Sequence, residues 1–144
     1  MNLIFLSGLA GFSAGAIMIL LNHLAPRFGA RAVVKDTDQL RLFGRAYSRR
    51  ETHLVGMAIH LVLSFCFGAG YGFLVSQGLF PDFDLIGLMI YSLLMTIIVG
   101  GIIMPLEGHG LFGIKEDGWF SLDLLLTNIG WAVMFYLVIR LFPI

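Results

Sequence analysis

Apolar positions dominate four long stretches of the chain, at about residues 3–22, 54–76, 85–104 and 122–142. The first and third contain no charged residue, and the second carries only His60 among titratable His, Asp, Glu, Lys and Arg side chains. A helix rises 1.5 Å per residue, so about 20 residues cross a hydrocarbon core of about 30 Å. A helix also closes its backbone hydrogen bonds within its own segment, which lipid requires and an open strand does not provide. The pattern predicts an all-α fold: a polytopic four-helix transmembrane bundle, with residues 1–144 forming a single transmembrane domain.

Within the apolar stretches the small residues are periodic. Ser7, Gly11 and Gly15 recur every fourth position in the first helix, as do Ser64, Gly68 and Gly72 in the second and Ser92, Thr96 and Gly100 in the third. Such stripes let helix backbones approach closely. They predict tight packing within the chain, and they also offer a face for self-association or for other membrane subunits.

The connections differ in character. Residues 23–52 hold seven of the nine basic residues against three acids, whereas Lys115 and Arg140 stand against six acids elsewhere. Short loops rich in Lys and Arg stay cytoplasmic. The expectation is therefore a multi-pass protein of the cytoplasmic (inner) membrane, with residues 23–52 and 105–120 inside and both termini outside. The first stretch does not read as a signal peptide, because its positive charges follow the apolar run instead of preceding it. From Asp36 the basic segment reads DTDQLRLFGRAYSRRE. Leu40, Phe43 and Tyr47 recur at helical spacing, with Arg41, Arg45 and Arg49 at i, i+4 and i+8. This predicts a short amphipathic helix in the membrane interface whose arginines face lipid headgroups.

The connection at 76–84 is short and makes the second and third helices antiparallel neighbours. Pro105 limits the third helix. The segment PLEGHGLFGIKEDGWFS is too apolar for a solvated linker and is expected to fold back on the bundle. Ser121, or Asp123 in the first turn, is expected to start the fourth helix. Cys66 lies mid-membrane as a small packing residue, and a single cysteine excludes an intrachain disulfide. Trp119, Phe120 and Tyr136 read as interfacial aromatics.

Composition limits the chemistry. At 58% hydrophobic and 12% charged, the chain leaves no room for a water-soluble domain. Phosphate-binding G-x-x-x-x-G-K-[ST] and G-x-G-x-x-G signatures are absent, and no catalytic residue can be named. Nucleic acid is not expected as a partner, since membrane orientation explains the basic segment. The bilayer is.

The candidates are polar groups inside or beside the helices, where ionisable side chains are costly and point to function. His60 and His53 lie seven apart and share a helix face. His60 can hydrogen-bond, carry a proton, or ligate a metal or tetrapyrrole. Glu107 and His109 form E-G-H-G, two ligand types on flexible backbone. Asp123, Thr127 and Trp131 recur every fourth residue beside Asn128, an amide expected to bond across helices. All four histidines, His23 included, map to the cytoplasmic half, with Glu107, Asp117 and Asp123 at the same level.

The segment Met104 to Gly113, MPLEGHGLFG, resembles uncharacterised families of small four-helix membrane proteins in bacteria and archaea. Their first helix has spaced Gly and Ala, here GLAGFSAGAIM. Their second has a buried His followed by small residues and an aromatic, here His60 to Tyr71. Their fourth often carries a His near Tyr-Gly, where this chain reads LTNIGWA with Asn128. The resemblance implies the same topology and no established activity.

The leading expectation from sequence is a non-enzymatic subunit or scaffold of a membrane assembly. The alternatives are a small transporter or channel with a polar path through His60, Asn128 and Asp123, and a metal- or tetrapyrrole-binding protein at the cytoplasmic face. The sequence names no cofactor.

Overall fold

The structure is a computed structural model that describes residues 2–24, 41–42, 45–46, 48–115 and 119–142. Four helices are long and apolar enough to cross a membrane. They are α1 (Leu3–Leu24), α2 (Arg49–Ser76), α3 (Leu85–Leu106) and α4 (Phe120–Leu141). Their outward side chains are large and apolar, such as Val62, Ile86, Ile90 and Ile97. In water this surface would be an aggregation patch, and in lipid it is a solvated one. The protein is a multi-pass integral membrane protein built as an all-α four-helix bundle.

The helices begin and end for local reasons. Ser48 and Glu51 form a reciprocal capping box at the start of α2, with the Glu51 carboxylate accepting from the Ser48 N–H at 2.9 Å. The helix therefore starts five residues before the apolar stretch does. Asp84 caps α3 by accepting from the Gly87 N–H. Pro105 has no N–H, and the α-helical part of α3 (Leu85–Ile98) passes through a π-helical turn, Val99–Ile103, just before it. One extra residue per turn re-registers the backbone ahead of the proline. Phe120, not Ser121 or Asp123, begins α4, and the Ser121 hydroxyl donates to the Phe112 carbonyl at 3.1 Å instead of capping. Asp123 lies in the first turn, as expected.

The predicted interfacial helix is corrected in part. Arg41–Leu42 and Arg45–Ala46 pair as two short antiparallel strands, β1 and β2, with Arg41 opposite Ala46 and Leu42 opposite Arg45. Gly44 between them disfavours a helix by about 1 kcal/mol. Arg49 belongs to α2. Leu40, Phe43 and Tyr47, and the side chains of Arg41, Arg45 and Arg49, lie outside the described residues, and with them the headgroup contacts expected there.

The small-residue stripes act within the chain. Gly11 and Gly68 meet face to face: a Cβ on Gly11 would lie 2.8 Å from the Gly68 Cα and would strike the Ser64 carbonyl. A Cβ on Gly15 would strike Ser64, and one on Gly72 would strike Ser7. These residues let α1 and α2 pack backbone against backbone. The α3 stripe faces other partners. Thr96 accepts from the Asn128 Nδ2 of α4 at 2.9 Å, Ser92 is fully buried, and Gly100 leaves a hole filled by the Phe112 ring.

Helices α2 and α3 are joined mainly through large side chains. The Tyr91 hydroxyl donates to the Phe67 carbonyl at 2.9 Å, and the Tyr71 ring packs on Tyr91 at 5.2 Å between centroids. Cys66 is exposed on the surface of α2, so it does not fill the packing role expected of it. Phe120 is buried beneath Gly113 and is no interfacial anchor, whereas Trp119 is exposed. The Arg140 guanidinium lies 5.0 Å above the Tyr136 ring.

Candidate functional site

The bundle is filled differently in its two halves. Around Tyr71 the rings of Phe80, Phe83, Tyr91 and Phe135 crowd at centroid distances of 5.1 to 6.1 Å. Trp131 stacks on Phe135 at 5.0 Å and 9°, and its indole N–H donates to the Gly11 carbonyl at 3.3 Å. This aromatic cluster closes one half of the bundle.

The other half holds a cavity of about 250 Å³ reached by all four helices. The floor is Phe67, Met95, Asn128 and Trp131, all buried. The rim lies where α1 ends and α2 begins. There His23 is exposed, and its ring packs on His53 with centroids 5.5 Å apart. Thr52, His109 and Phe120 at the same end are buried.

Every polar candidate read from the sequence lines this one cavity: His53, His60, Glu107, His109, Asp123 and Asn128. The connection after α3 brings Glu107 and His109 over it. Gly108, Gly110 and Gly113 all have positive φ, which a side chain resists. Phe112 is also left-handed, at φ 51°, and is held so by its ring seated on Gly100. The spaced glycines of this segment thus fold it back on the bundle. His109 is buried, and its backbone N–H donates to the Met104 carbonyl at 2.9 Å.

The wall is largely satisfied. Asn128 donates to Thr96, Thr96 donates to the Ser92 carbonyl at 2.8 Å, and Thr127 donates to the Asp123 carbonyl at 2.8 Å. His60 differs. Its imidazole lies against Gly15, and its buried Nε2 has no hydrogen-bond partner among the described residues. Leaving such a nitrogen dry costs about 1–3 kcal/mol, which a bound group able to engage it would recover. Among the described residues no three His, Cys, Asp or Glu side chains converge as a metal site, and no Lys or Arg lines the cavity.

No family model, curated protein or solved structure matches the chain. What the cavity takes is therefore inferred from its walls alone.

Glu107 carries a pH signature. Burial pushes its carboxyl above the ordinary carboxylate range, and His109, 3.9 Å from it, pulls the other way less strongly. A carboxyl with a raised folded-state pKa binds more protons when folded than when unfolded. Its contribution to stability is present below the ordinary glutamate value and is lost as pH rises through the raised one. Glu107→Gln removes that loss. Melting in detergent from pH 4 to 8 is expected to show the variant gaining on the parent as pH rises, and parallel profiles would count against the raised value.

Asp117 lies outside the described residues. Sequence reading places His23 at the same membrane level but does not single it out, and it misses the sulfur in the wall. Met18, Met57, Met95 and Met104 all line the cavity. The available signal was Met57, which falls between His53 and His60 at helical spacing.

Proposed function

We propose that the protein is a small membrane transporter, and that the cavity is the vestibule that receives its solute from one side of the bilayer. The observation that carries this reading is the convergence of six polar residues, from two helices and a folded-back loop, on one cavity that is bounded on one side by stacked aromatic rings. A packing core has no use for two carboxylates and four imidazoles around a space, since each costs desolvation. A vestibule does. Its volume is below the roughly 300–1,000 Å³ usual for drug-sized ligands, so it suits an ion or small solute and is too small for a tetrapyrrole.

The positive-inside rule sets the direction. The rim lies on the same side as the basic segment 23–52 and Lys115, so we read the vestibule as open to the cytoplasm. The scaffold reading drew on the small-residue stripes as docking faces. Those stripes are occupied within the chain, so the reading loses that support.

One-sided access is directly testable. In a Cys66→Ala background, cysteine placed at His60 is expected to react with a membrane-impermeant thiol reagent added from the side of the basic segment, and not from the other side. Reaction from the opposite side, or from neither, would sink the vestibule.

A further inference from the structure

The wall chemistry of the cavity narrows its solute. We propose that it binds a soft monovalent cation of the copper(I) class, held by the His53–Met57–His60 face of α2 together with thioethers from neighbouring helices. This rests on the vestibule reading and names what enters it.

Three features of the wall point the same way. The first is sulfur. Four of the chain's seven methionines line this single space: Met18 from α1, Met57 from α2, and Met95 and Met104 from α3. Thioethers are poor ligands for Mg²⁺, Ca²⁺ or Mn²⁺, but together with imidazole they select copper(I). Methionine also serves as a flexible filler in apolar cores, yet a filler closes gaps and these four surround one.

The second is register. His53, Met57 and His60 stand at i, i+4 and i+7, which stacks two imidazoles and a thioether along one stripe of a helix, and all three line the cavity. The His60 Nε2 in that stripe is the buried side-chain nitrogen left without a hydrogen-bond partner among the described residues. The ring is held by a hydrogen bond to the Gly15 backbone of α1, the kind of contact that orients a metal-ligating histidine, and this leaves Nε2 for a ligand.

The third is charge. Glu107 and Asp123 border the space, and no Lys or Arg lines it. Acidic groups at a low-dielectric opening raise the local cation concentration and offset a positive charge brought inside. A monovalent ion is the easier guest, because desolvation cost grows with the square of charge. Imidazole with thioether is also a donor set that suits a low-coordinate soft ion better than a tetrahedral zinc centre.

The test is an anaerobic titration of detergent-purified protein carrying Cys66→Ala, with copper(I) as the probe and a chromophoric copper(I) chelator as competitor. One tight equivalent is expected, with X-ray absorption showing both sulfur and nitrogen neighbours. Met57→Leu conserves volume and leaves folding intact, and it is expected to weaken copper(I) at least about tenfold, as is His60→Gln. Zinc(II) is expected to bind more weakly and to be indifferent to Met57→Leu. Unchanged copper(I) affinity in both variants, a shell without sulfur, or preference for zinc(II) would overturn the proposal. If cysteine labelling at position 60 is one-sided while copper(I) fails to bind, the vestibule stands and only the cation assignment falls.

Discussion

Replacing Gly68 with valine is expected to destabilise the bundle by about 3 kcal/mol or more, the upper range for overpacking a close-packed interior. The reason is what a side chain at that position would meet. A Cβ on Gly68 strikes the Ser7 carbonyl and lies 2.9 Å from the Gly11 Cα. Both are backbone, so no rotamer change relieves the contact and α1 must move away from α2. That separation also weakens the contacts of Gly15 with Ser64 and of Gly72 with Ser7. In lipid these dispersion contacts are the main force between helices, because apolar surface gains nothing by leaving an apolar solvent. Gly56 on the same helix is the control: among the described residues, no atom beyond its chain neighbours and its own helix backbone lies within 4 Å of its Cβ position. Gly56→Ala is expected to be neutral or to gain up to about 1 kcal/mol from helix propensity. Melting of both variants in detergent checks the pair, and equal stabilities would show that close approach of α1 and α2 contributes little.

The same contrast explains what could be read from the chain. Glycine spacing marked Gly11 and Gly68 as packing positions, because a period of four repeats along any helix face. It did not say which helices would meet. The α3 stripe was no different in pattern, yet it received Phe112 and Asn128 instead of another helix backbone. The capping box at Ser48 and Glu51 is legible as S-x-x-E, and it lies outside the apolar stretch that starts near residue 54 because the first turn of α2 is polar. The polar candidates were visible one by one, since a charged or amide group in an apolar helix stands out. Their convergence on one space was legible only as a shared membrane level, because rotation about each helix axis is fixed by packing. The methionines were invisible for a different reason. Met is an ordinary membrane-helix residue until a structure shows four of them around a cavity.

Trp131→Ala is expected to do two things at once. It removes a side chain only 2% exposed, stacked on Phe135 and bonded to the Gly11 carbonyl, and so costs about 3 kcal/mol, the low end for such a truncation. The low end applies because the transfer part of that cost shrinks in a membrane while the lost packing remains. It also removes the floor that separates the cavity from the aromatic half. In a Cys66→Ala background, a cysteine at fully buried Ser92 is then expected to react with an impermeant thiol reagent added from the side of the basic segment, as it does not when Trp131 is present. Trp131→Phe separates the two effects. It keeps a ring in the stack and loses one hydrogen bond, so it is expected to cost about 1 kcal/mol and leave position 92 protected. If position 92 is equally reactive with tryptophan, phenylalanine or alanine at 131, the aromatic cluster is not the barrier. The bundle would then already be open through its centre, a channel in place of a vestibule.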